Sequence, residues 1–243
     1  KALWKDENIA DSITVHAVDF IKKNSDKPFF IYFATNDVHV PRFPHPRFRG
    51  QSSMGLRGDA IVQFDWSVGE IVKTLEEQGL LENTLIILSS DNGAVLDDGY
   101  MDQAEELVGN HSPTGGLRGG KYSAYEGGTR VPFIVHWPAV IKEQAVKNSL
   151  VSQIDFLDVM ASIAGVGNGA HQRYRQEGAQ QLQPETLIHH EGGDHVNSDK
   201  IDHGVKYAGL IMQHGVSPIL VCQVLEGIRP VGGKAHCPEE YRN

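Results

Sequence analysis

Asp91 and Asn92 set a carboxylate beside a carboxamide directly after the apolar run Leu85-Ile86-Ile87-Leu88 and the pair Ser89-Ser90, with Gly93 following. Hard oxygen donors of this kind suit Ca2+ or Mg2+. A run that stops at such residues places them at the carboxyl end of a strand, where open α/β sheets hold their ligands. The same residues also suit an Asx turn that simply ends a strand, because Asp, Asn and Gly are turn formers. A calcium ion takes roughly 6–8 oxygens, so two residues furnish only part of such a site.

Lys121 follows Gly119-Gly120, which let the backbone come close to a ligand. Its ammonium is suited to neutralise charge on a transferred sulfuryl or phosphoryl group; a solvated loop lysine is the plainer alternative. His39 stands in Asn36-Asp37-Val38-His39-Val40-Pro41, just past the apolar run Pro28 to Ala34 and so on the same rim as Asp91. An imidazole there can give a proton or hydrogen bond to a departing oxygen, and a water-satisfied loop histidine is the competing reading. Glu126 is placed to pair with Arg118 or Arg130. His189, His190, Glu191 and His195 match no established metal spacing and read as a solvated loop. No G-x-S-x-G elbow, phosphate loop or G-x-G-x-x-G fingerprint is present.

Elements that would position these groups follow from periodicity. Ile9, Ile13, Ala17, Phe20 and Ile21 form one face of a helix near residues 9–24, capped by Asp11 or Ser12. Pro28 to Ala34 is continuously apolar, as a central strand covered on both faces would be. The irregular stretch Asn36 to Gly58 is long enough to be functional or a lid. Ile61, Phe64, Val68, Ile71, Val72 and Leu75 predict a second helix ended by Gly79. Thr84 to Leu88 and Val131 to His136 predict two further strands, and Gly93 to Gly120 a long loop between them. Ile154, Leu157, Met160, Ala161 and Ala164 predict a last helix closed by Gly165. This alternation implies α/β layering: a mostly parallel sheet with helices on both faces. Beyond Gly165 only Ile219-Leu220-Val221-Cys222 stands out, without an assignable architecture.

The chain of 243 residues is long enough for one large domain, alone or with a smaller piece, and its net charge of −9 argues against general nucleic-acid binding. That charge also means an anionic substrate needs a local positive pocket. No apolar stretch approaches the ~18 residues of a membrane span. Cys222 and Cys237 are too few for a disulfide framework and lack paired metal spacing.

Three strings, F-F-I-Y-F-A-T-N-D-V-H-V-P, L-I-I-L-S-S-D-N-G and G-G-K-Y-S-A-Y-E-G-G-T-R-V-P-F-I-V-H-W-P, occur in this order. Together they resemble the sulfatase family of the alkaline phosphatase superfamily, with arylsulfatase-like wording, over about residues 1–165. The resemblance implies an alkaline-phosphatase-like fold and hydrolysis of sulfate esters on small molecules or glycans. It implies that Asp91 and Asn92 are ligands of Ca2+, with Mg2+ the second candidate. It also implies that His39 helps protonate the leaving alcohol and that Lys121 binds the sulfate and the leaving oxygen. By the same resemblance the protein is periplasmic or secreted.

Family members also carry a Cys- or Ser-x-Pro-x-Arg signature whose first residue becomes formylglycine, the nucleophile; neither Cys222 nor Cys237 has that context. The expectation is therefore the carboxyl-terminal part of a sulfatase-like catalytic domain at 1–165, inactive alone, with formylglycine in an amino-terminal half outside it. Residues 166–243 are an unassigned tail, with the remnant of a small carboxyl-terminal subdomain as its candidate reading. Two alternatives remain: a phosphodiesterase or phosphonate hydrolase of the same superfamily, and a non-catalytic module that binds anions or glycans.

Overall fold

The computed structural model describes residues 5–164 and 217–223. These fall into two compact units, one built from residues 5–145 with 217–223 and the other from 146–164. The first unit runs α1 (Ile9–Lys23), β1 (Phe29–Phe33), α2 (Gly55–Glu77), β2 (Thr84–Ser89), α3 (Glu126–Thr129) and β3 (Phe133–His136), and later β4 (Ser217–Gln223). The second contains α4 (Phe156–Ile163), preceded by a short 3-10 turn at Gln153–Asp155.

Ala10, Thr14, Ala17 and Ile21 recur every three or four residues and form the buried stripe of α1. Lys22 and Lys23 lie in its last turn, where cations meet the negative end of the helix dipole. The expected side-chain cap is not made: Asn8 precedes the helix without a cap bond, Ser12 Oγ donates to the Asn8 carbonyl, and Asp11 instead receives Arg47. Helix α2 ends as its glycine predicts. Gly79 has φ +68°, its amide donates to the Glu76 carbonyl and the Leu80 amide to that of Leu75, which satisfies two otherwise unpaired carbonyls.

Phe29 and Phe33 of β1, Ile86 and Leu88 of β2, Ala17 and Ile21 of α1, and Phe64, Ile71 and Leu75 of α2 make one core. Both long helices of this unit therefore share one face of the sheet, where the sequence led us to expect helices on both faces. Nor is β1 a central strand: it lies at the edge of the described sheet, and Phe30 and Tyr32 on its second face are 51% and 62% exposed. An apolar run reports affinity for a core but not which faces the tertiary structure covers.

Among the described residues the sheet order is β1-β4-β2-β3, and each hydrogen-bonded pair is antiparallel. The α/β layering holds, and the described strands pair antiparallel where a mostly parallel sheet was expected. Strands β1 and β2 do run the same way, yet β4 lies between them, pairing Phe33 and Leu88 alike with Ile219. Its segment follows residue 165, where the sequence pattern offered no architecture, so its insertion was not legible. His189, His190, Glu191, His195, Gly165 and Cys237 lie outside the described residues.

Candidate active site

All six residues of β2 are buried, and the strand delivers Ser89 and Ser90, also buried, then Asp91 and Asn92 at its carboxyl end. Two backbone bonds fasten this end to the loop that carries Lys121, and a third closes that loop on itself. The Gly93 amide donates to the Gly128 carbonyl at 2.8 Å, the Lys121 amide to the Ala94 carbonyl at 3.0 Å, and the Gly127 amide to the Arg118 carbonyl at 2.8 Å. Their closeness needs glycine: a Cβ on Gly93 would lie 1.8 Å from the Gly127 carbonyl oxygen.

The other wall is the stretch after β1. Gln63 of α2 holds it at two points, accepting from the His45 amide at 2.7 Å and donating to Asp37 Oδ1 at 2.6 Å. The Asp59 carboxylate receives the amides of Gly50 and Ser52, each at 2.8 Å. Arg42, buried, donates to the Val38 carbonyl and to Asp102 Oδ2 at 2.6 Å, tying this stretch to the loop after β2. Arg47 meets Asp11 and lies over the Trp66 ring. The stretch expected to be functional or a lid is thus strapped down by buried side chains.

Asp37, His39, Asp91, Asn92, Asp98 and Lys121 line one cavity, so the four groups singled out in the sequence face a common space. Lys121 Nζ lies 3.4 Å from His39 Nε2 and 3.5 Å from Asp98 Oδ2. His39 Nδ1 is 2.7 Å from the Val40 carbonyl, an atom that only accepts, so Nδ1 carries the proton and Nε2 presents its lone pair to the lysine. The residues preceding His39 and following Lys121, Val38 and Tyr122, have φ of +72° and +73°. Side chains rarely adopt that region, and such strain collects at functional sites.

Several neighbours were not singled out as site residues in the sequence. Asp37 is buried, its Oδ2 has no hydrogen-bond partner among the described residues, and burial, opposed by the Gln63 bond, raises its pKa to about 6. The Asp98 pKa is lowered, chiefly by the 2.5 Å bond from the Tyr122 hydroxyl and then by Lys121, while the Tyr122 pKa is raised by that bond. Only proximity across the fold identifies these residues. Glu126 pairs with Arg130 at 3.0 Å, one of its two expected partners, and Arg118 instead lies over the Tyr125 ring.

Against known proteins, the Sulfatase family profile matches residues 5–166. The chain belongs to the sulfatase family. N-acetylgalactosamine-6-O-sulfatase of Bacteroides thetaiotaomicron is 56% identical over 162 residues, 67% of this sulfatase chain and 32% of that protein. Steryl-sulfatase of Rattus norvegicus is 37% identical over 163 residues, 65% and 27% of the two chains. Among solved structures, a 6S-sulfatase from the metabolism of multiple glycosaminoglycans by Bacteroides thetaiotaomicron superposes with a TM-score of 0.64 at 56% identity, over 67% of this chain and 34% of that one. Ps i-CgsB in complex with k-i-k-neocarrahexaose gives 0.53 at 28% identity, over 71% and 38%. The sulfatase chain spans about a third of the length of these relatives, and its fold is of their alkaline-phosphatase-like α/β type.

Calcium is a general property of sulfatases, and the donor set here suits a hard cation. Asp91 and Asn92 supply a carboxylate and a carboxamide side by side; Asn92 Nδ2 contacts two acceptors, Asp91 Oδ1 and the Gly93 carbonyl, which leaves Oδ1 as the atom able to face a cation. Asp37, Asp91 and Asp98 outnumber the cations lining the cavity once Arg42 is paired with Asp102, so an anionic ester needs added positive charge there. Among the described residues no cluster of three or more His, Cys, Asp or Glu is placed to hold a metal. Two oxygen donors are fewer than the roughly 6–8 that a calcium ion takes.

Proposed function

We propose that the protein carrying this chain hydrolyses sulfate esters of glycans, with a 6-O-sulfated N-acetylgalactosamine as its substrate class. The observation that carries this reading is the 3.4 Å approach of Lys121 Nζ to His39 Nε2 in the cavity that Asp91 and Asn92 line. The substrate class rests on the 56% identity to N-acetylgalactosamine-6-O-sulfatase. A periplasmic or secreted location fits glycan substrates, and no described helix is long and apolar enough to cross a membrane.

In this reading Asp91 and Asn92 hold calcium, which when bound supplies positive charge to the sulfate oxygens. The formylglycine nucleophile of the family belongs to sequence beyond these residues. Lys121 and His39 share one proton between Nζ and Nε2, and that is the proton a departing alkoxide requires. The ammonium also faces the charge that builds on the leaving oxygen, where a preorganised cation stabilises the transition state more than the ground state. Residues 1–165 form part of the catalytic domain, and β4 at 217–223 joins the same sheet.

The test compares the longer protein with its Lys121→Ala and His39→Ala variants on a 6-sulfated N-acetylgalactosamine, an aryl sulfate and a phosphodiester. Each variant is expected to lose about 10²–10⁴ in kcat/KM on the sulfated sugar. Turnover within a few-fold of the parent would remove both residues from the chemistry. A parent that prefers the phosphodiester would place the protein among the phosphodiesterases, and one that binds the sulfated sugar without turnover would make it a binding module.

A further inference from the structure

We infer that Asp98 is the positioning residue of Lys121, holding the ammonium against His39 through a carboxylate it shares with Tyr122. The inference rests on the proposed role of Lys121 and adds a residue that no part of the sequence signalled. Asp98 Oδ2 lies 3.5 Å from Lys121 Nζ, and Asp98 Oδ1 accepts from the Tyr122 hydroxyl at 2.5 Å. Lysine and aspartate side chains are 17% and 13% exposed, so the pair is largely withdrawn from water, unlike an ordinary surface ion pair.

A lysine has four rotatable bonds, and an ammonium left to itself would sample much of the cavity. Here its head has two contacts, Asp98 on one side and His39 Nε2 on the other, which confine it to one place. Tyr122 completes the clamp. Its left-handed backbone, φ +73°, turns the ring beside its own neighbour Lys121, whose Nζ lies 5.2 Å from the ring centroid, while the hydroxyl fixes the carboxylate from the far side. The loop between residues 98 and 121 is thereby closed by side chains at both of its ends.

The first test needs no turnover: acylation of lysine amines on the 243-residue chain, followed peptide by peptide by mass spectrometry, with Lys73 and Lys142 as internal references. Asp98→Asn is expected to raise the rate at Lys121 at least about threefold, because the carboxylate that pins and shields the amine is gone. An unchanged rate at Lys121 overturns the proposal. If Asp98→Asn does not fold, Tyr122→Phe decides the matter, since Tyr122 is 80% exposed and its hydroxyl is the only group removed. A faster Lys121 supports the clamp and a parent rate overturns it.

In the longer protein Asp98→Asn is expected to lower kcat on a sulfate ester about tenfold with KM nearly unchanged. Added to Lys121→Ala it should change nothing further, whereas a full additional loss would separate Asp98 from Lys121 and sink the proposal. A parent without sulfate-ester turnover would sink the functional reading alone, because the acylation result stands without it.

Discussion

The ε-ammonium of Lys121 and Nε2 of His39 approach to 3.4 Å although 82 residues separate them in sequence. Groups that act on one oxygen as a unit are not additive when removed. The double variant His39→Ala/Lys121→Ala is therefore expected to retain kcat/KM within about tenfold of the weaker single variant, rather than the product of the two losses. Steady-state kinetics on a sulfated sugar checks this, and full additivity would mean that the two residues serve separate steps.

Asp91 and Asn92 are expected to couple calcium to stability. A ligand that binds only the folded state stabilises by about 2.7 kcal/mol at a hundredfold excess over Kd. The longer protein should accordingly melt higher with calcium than in EDTA, and Asp91→Ala should abolish most of that difference while Asn92→Ala reduces it. A calcium shift of unchanged size in Asp91→Ala would rule out that carboxylate as a ligand.

Asp37 titrates near 6 in the folded chain against an ordinary 3.8, mainly through burial. An acid raised in the folded state holds more protons folded than unfolded between those values. Its presence therefore makes stability fall as pH rises from about 4 to about 6 and keeps it lower above. Asp37→Asn retains an acceptor for Gln63 and removes the buried charge. In calcium-free buffer it is expected to add about 1–3 kcal/mol at pH 8 and little at pH 4, read from urea unfolding at the two pH values. Equal gains at both would trace the effect to packing.

Two glycines should respond in opposite directions to alanine. At Gly93 the new Cβ meets the Gly127 carbonyl oxygen at 1.8 Å and Gly128 Cα at 2.7 Å, backbone atoms that cannot swing aside. A loss of about 3 kcal/mol or more is expected, together with faster hydrogen exchange at the Lys121 amide as the two loops part. At Gly69, on the exposed side of α2 with nothing within 4 Å, alanine should instead add about 0.5–1 kcal/mol. Thermal melts of the two variants side by side decide this, and a neutral Gly93→Ala would mean that the loop contact is easily remade.

Local order was legible wherever one segment carries its own signal. The stripes of α1 and α2, the Gly79 terminus and the apolar β2 ending at Asp91 and Asn92 all follow from residue type and period. So did the family, because its three strings are contiguous in sequence. Strand direction was not, since β4 enters between β1 and β2 from a distant segment, and neither was the exposure of Phe30 and Tyr32.

By itself the sequence determined which residues could act, since metal-binding oxygens, an imidazole and an ammonium are properties of side chains and their immediate neighbours. Only the tertiary structure decided that they face one cavity, that Asp37 and Asp98 join them, and that Tyr122 holds Asp98. The physical reason is range. A helix or turn is set by contacts a few residues apart, whereas the hold of Asp98 on Lys121, the clasp of Gly93 on Gly128 and the burial of Asp37 under Gln63 arise only when distant segments pack.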